Sequence, residues 1–172
     1  VWPYWHPGGI STLGNLLVVP LEEYKKTRIG KINFYNFSDL NNFTKLNVSI
    51  NIPFTSAGAV FLYNLPDGRF LIGSWDMNII HFYFSKTNNL LDGFEEKPRF
   101  GIHRKDFKLG DRKPFEFGAQ GINLITQCDG KLFLVLFQNT GKMANKDDRA
   151  LLFSLGLNEK NAQIELVTTK NF

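Results

Sequence analysis

One sequence grammar occurs three times along this 172-residue chain, and that repetition limits the possible folds more than any other feature. Each copy opens at a glycine followed by a short apolar segment: Gly9-Ile10-Ser11-Thr12-Leu13, Gly58-Ala59-Val60-Phe61-Leu62-Tyr63 and Gly121-Ile122-Asn123-Leu124-Ile125. A turn pair follows, Gly14-Asn15, Asp67-Gly68 and Asp129-Gly130 in order, supplying the positive φ that tight hairpins demand. The chain then runs into a strongly apolar second strand: 16–21, 70–75 and 132–137. A polar loop of varying length leads to a third strand, 31–36, 78–84 and 150–155, sharing an Ile/Leu-x-Phe-Tyr/Ser pattern. A fourth, amphipathic strand is plain in the first copy, where Leu46, Val48, Ile50 and Ile52 alternate with polar residues. Residues 163–168 repeat the alternation in the third copy, and the second copy offers a weaker candidate at 99–103.

Composition supports strands throughout. Aromatic residues make up 15% of the chain, seventeen of them Phe, and such side chains suit pleated, half-buried surfaces. The 43% hydrophobic and 21% charged shares belong to a packed protein and not to a disordered one.

Four antiparallel strands per unit, with the first two apolar and the last amphipathic, describe a blade running from axis to rim, and the chain resembles β-propeller repeat proteins in this. The resemblance implies an all-β fold of three four-stranded antiparallel blades, about 9–52, 58–103 and 121–169, in one segment spanning 1–172. It identifies an architecture and no particular family. Trp75-Asp76 is not the WD40 signature, because it closes a second strand and has no counterpart in the other copies. Rings of this kind hold about four to eight blades, so three predict a partial ring that further blades or other copies of the chain complete. The start at Val1, without Met, fits processing or excision from a longer chain. A β-sandwich is the alternative that needs no repeat.

The resemblance also implies where a ligand or protein partner binds: on the face where the chain enters each blade, called here the upper face, with the Asp-Gly hairpins on the lower face. That face collects Trp5, His6 and Glu22 from the first copy, and Thr55, Ser56, Trp75 and Asp76 from the second. The third copy adds Glu116, Gln120, Gln138 and Asn139. The preferred binding set is His6, Glu22, Trp75, Asp76, Glu116, Gln120, Gln138 and Asn139. His6 is carried on His6-Pro7-Gly8-Gly9, where glycines permit close backbone approach. It serves as a ligand contact or as a hydrogen-bonded turn residue. Trp75 offers a stacking face beside the Asp76 acceptor, or a core anchor. His81 lies inside a third strand and reads as structural, and His103 sits in a basic loop.

Glu22, Glu23, His6 and Asp76 could form an oxygen-rich cage, but no loop has calcium-binding spacing, so neither metal nor cofactor is expected. The single cysteine, Cys128, rules out an intrachain disulfide. No run approaches the roughly 18 apolar residues of a membrane helix. The charge of +4 and the cluster from His103 to Lys113 are interrupted by aspartates, which argues for a solvated surface over a nucleic-acid partner. Asn36, Asn42 and Asn47 each begin an Asn-x-Ser/Thr acceptor, which favours an extracytoplasmic location. Enzyme motifs are absent. The expected function is a non-catalytic binding or interaction module. The alternative is a propeller hydrolase or lyase acting on a carbohydrate-like substrate through His6, Asp76 and Glu116.

Overall fold

The computed structural model describes residues 6–23, 29–53, 56–76, 79–103, 106–107, 119–138, 148–158 and 160–171. Within them the chain is all-β, arranged as three antiparallel sheets in sequence order with no closed ring. No helix among the described residues is long and apolar enough to cross a membrane.

The first sheet holds β1 (His6–Pro7), β2 (Ser11–Leu13), β3 (Leu16–Glu22), β4 (Gly30–Asn36) and β5 (Thr44–Ile52). Both β1 and β2 pair with β3, so they form one interrupted inner strand. The second sheet holds β6 (Ala59–Asn64), β7 (Phe70–Trp75), β8 (Ile79–Ser85), β9 (Phe94–Glu96) and β10 (Ile102–His103), and here the outer strand is the divided one. The third is a plain meander of β11 (Ala119–Thr126), β12 (Leu132–Gln138), β13 (Arg149–Leu157) and β14 (Ala162–Asn171). Gly14, Gly68 and Gly130 take φ of 55°, 85° and 84° in the hairpins that join each first and second strand.

Two strands depart from the sequence expectation. The outer strand of the second copy is not one segment at 99–103. It is β9 plus β10, separated by a 3-10 turn over Pro98–Phe100, because Pro98 cannot donate to a ladder and its fixed φ turns the chain. The inner strand of the first copy begins at His6, ahead of Gly9, and breaks at Gly8–Ile10. There the backbone turns its hydrogen bonds to the next sheet: Gly9 N–H donates to Gly58 O at 2.9 Å, and Val60 N–H donates to Gly9 O at 3.0 Å. A side chain at this crossing is impossible. A Cβ on Gly8 would lie 2.1 Å from Gly58 O, and one on Gly9 would lie 2.5 Å from Gln120 O.

Strand alternation gives each sheet two flanks, and the sheets stack through them. Val18, Ile32, Phe34, Ile50 and Ile52 of the first sheet meet Val60, Leu62, Ile72 and Tyr83 of the second. The other flank of the second sheet, with Phe61, Leu71, Trp75, Ile80 and Phe82, meets Ile122, Leu134, Leu136, Leu151 and Phe153 of the third. The middle sheet is thus the one buried on both sides. Its β7 is buried continuously from Leu71 to Trp75, as a strand covered on both flanks must be. One side chain bridges the first two sheets directly: Ser11 Oγ accepts from Leu62 N–H at 3.1 Å in a buried site.

Candidate binding face

Strand register fixes which residues share the upper face. Glu22 ends β3 opposite His6, Trp75 ends β7 opposite Ala59, and Gln138 ends β12 opposite Ala119. Ala59 forms a parallel bridge with Gly9, three residues after His6, so the first and second sheets run in the same sense. Gly9 also lies against the backbone of Gln120 and Gly121 at the start of β11, so the ends of all three second strands lie on one side of the molecule. His6 and Trp75 share that side despite their separation in sequence.

The structure sorts the individual positions differently. His6 is 53% exposed at its side chain, and its Nδ1 lies 2.9 Å from Glu22 Oε1, a cross-strand contact set by the β1–β3 register. Trp75 is 1% exposed and packs edge-on against Phe107, with ring centroids 5.7 Å apart, so its ring belongs to the core. Gln120 is exposed at a bulge in β11. Gln138 is buried, with its Oε1 unpartnered among the described residues. Ser56 is half-buried just ahead of β6. Trp5, Thr55, Glu116 and Asn139 lie outside the described residues. Asn36, Asn42 and Asn47 are all exposed.

Asp76 belongs to a cluster that the sequence reading did not assemble. Its Oδ1 accepts from Ile79 N–H at 2.8 Å and closes the turn between β7 and β8, while Oδ2 lies 3.0 Å from His81 Nε2. The other ring nitrogen, Nδ1, lies 2.8 Å from Glu96 Oε1. His81 also stacks over Tyr83, 6.5 Å between centroids. The imidazole is thereby held between two carboxylates, with 20% of its side chain exposed and 9% of the Asp76 side chain. Burial by itself would lower the pKa of His81. The hydrogen bonds that the ring donates to Asp76 and Glu96, and the charges of these carboxylates, outweigh it and raise the pKa above the ordinary value. Burial, reinforced by Glu96 and Asp76, likewise raises Tyr83 and keeps its phenol protonated. A signal for part of this was present: His81 stands in phase with Tyr83 on the side of β8 facing the first sheet. Glu96 was hidden because its strand was not foreseen.

Chemically, the first and second sheets present two separate carboxylate–imidazole clusters, His6 with Glu22 and His81 with Asp76 and Glu96. Both nitrogens of His81 are engaged, which leaves no free nitrogen to accept a proton from a nucleophile. No group of three or more His, Cys, Asp or Glu among the described residues could hold a metal ion. Two clefts lie elsewhere among the described residues. One of about 990 Å³ opens at the rim between Ile102, Asp106 and β14, and one of about 780 Å³ opens near the lower face beside Arg69, Phe84 and Phe100. The sequence matches no protein-family model and no curated protein.

Proposed function

We propose that this chain is a non-catalytic interaction module of the β-propeller repeat type, taking a polar partner with cationic groups on its upper face. The observation that carries this reading is the convergence of all three second-strand ends, at Glu22, Trp75 and Gln138, on one side of a rigid stack of sheets. Variable loops set on such a scaffold are the usual carriers of recognition. The carboxylates of Glu22 and Glu23 at the end of β3 supply acceptors for a cationic group. The enzyme reading needs His6 and Asp76 to act together, and each is instead engaged by a different partner within its own sheet.

A test measures binding of arrayed basic, acidic and neutral peptides and of glycans to the purified chain, followed by hydrogen exchange on any complex. The expected result is binding of basic ligands with protection at the ends of β3, β7 and β12, weakened in the Glu22→Gln/Glu23→Gln double variant. Turnover of glycoside substrates that His6→Ala abolishes would replace this reading with the enzymatic one. Binding confined to the lower-face hairpins would overturn the choice of face.

A further inference from the structure

The stacking rule inside the molecule continues past its last sheet. In the second sheet, the flank facing the third consists of Ala59, Phe61 and Tyr63 on β6, Leu71, Gly73 and Trp75 on β7, and Ile80, Phe82 and Phe84 on β8. The same positions of the third sheet, read from its register, are Gly121, Asn123 and Ile125 on β11, Phe133, Val135 and Phe137 on β12, and Ala150, Leu152 and Ser154 on β13. This flank carries Ile125, Phe133, Val135, Phe137 and Leu152 beside the polar Asn123 and Ser154, and it is uncovered: Ile125 is 49% exposed and Phe137 45%, where Phe61 and Leu71 are fully buried.

At the opposite end of the stack, the first sheet turns its own outer flank to solvent. Leu17, Val19, Leu21 and Tyr35 lie on it by register and are half-buried, with Asn33 and Lys31 opposite Val19 and Leu21, and Ile10 beside it is 55% exposed. It is the same side of a sheet that the second presents to the first through Val60, Leu62 and Ile72. Each end of the stack is thus one half of the interface that holds the interior together, and the two halves are of opposite kind. A surface of that sort pairs head to tail, and not with itself. Scattered exposed apolar residues need no explanation, but these occupy the positions of an existing interface.

We propose that a second copy of this chain seats the outer flank of its first sheet on the outer flank of the third sheet, head to tail, extending the stack that already exists within one molecule. The inference does not depend on which partner the upper face takes.

The experiment is sedimentation velocity on the purified chain across a concentration series, with two single variants and their mixture. Ile125→Asp places a charge on the third-sheet flank, and Ile10→Asp places one on the first-sheet flank. Each should weaken self-association by roughly thirtyfold or more, the scale of losing a central interface side chain. Mixing the two variants should restore a one-to-one complex, because each still carries one intact flank. Far-ultraviolet circular dichroism checks that both remain folded; Phe137→Asp and Ile10→Lys replace either variant that does not. A wild-type chain that stays monomeric throughout would overturn the proposal. So would association weakened by only one of the two variants, or variants that fail to complement.

Discussion

His81 is the residue whose environment makes the sharpest prediction. Its pKa is raised in the folded chain, so folding favours the protonated ring. The stabilisation is fully present below the unfolded value of about 6.5 and disappears as pH rises through the higher folded value. Wild-type protein should therefore lose more stability than His81→Gln on going from about pH 6 to about pH 9, as read by urea denaturation. Equal losses in the two proteins would show that the carboxylates do not bias the ring. Two glycines give predictions of different origin. A Cβ at Gly130 would meet nothing within 4 Å, so Gly130→Val should cost only the positive-φ penalty, about 1–2 kcal/mol. Gly73 is steric: a Cβ there would fall 2.0 Å from the Phe61 ring, so Gly73→Ala should cost about 1–3 kcal/mol or more by overpacking. Thermal melts of both variants would separate them, and an unchanged melting temperature for Gly130→Val would remove that glycine from its hairpin role.

At the scale of elements, most strands were legible because their cues are local. Asp67-Gly68 and Asp129-Gly130 mark hairpins by chemistry that acts within four residues, and the alternation of Leu46, Val48, Ile50 and Ile52 writes the outer strand of the first sheet directly. What was not legible depends on contacts distant in sequence. The interruption at Gly8–Ile10 exists because Gly9 bonds to Gly58, and no local pattern announces that exchange. Glu96 became part of the His81 cluster only through β9, a three-residue strand set between two 3-10 turns. Trp75 shows the same limit: its position on the upper face followed from repeat phase, but its burial under Phe107 did not. The bridge between the first two sheets offers a further test. Ser11→Ala leaves the buried Leu62 N–H without its acceptor and should destabilise the fold by about 1–3 kcal/mol in denaturant titrations. Ser11→Thr, which keeps the oxygen, should cost less.

For the whole molecule, stability is shared between two flank-to-flank interfaces that meet in the middle sheet. Stacks of this kind behave as neighbours coupled in one dimension, so damage to the central member is felt on both sides. Leu71 and Ile72 are adjacent, both fully buried, and serve opposite interfaces. Leu71→Ala and Ile72→Ala should each cost about 2–5 kcal/mol, and hydrogen exchange should show the loss spreading preferentially into the third sheet for the former and the first sheet for the latter. Uniform loss across all three sheets would mean a single indivisible folding unit. The crossing at Gly8–Gly9, where inner strands from three sheets approach backbone to backbone, is also where the stack tolerates least change. With no room there for even a methyl group, any side chain at Gly8 or Gly9 would have to wedge neighbouring sheets apart, so a single added carbon in the first sheet would be felt in the second and the third.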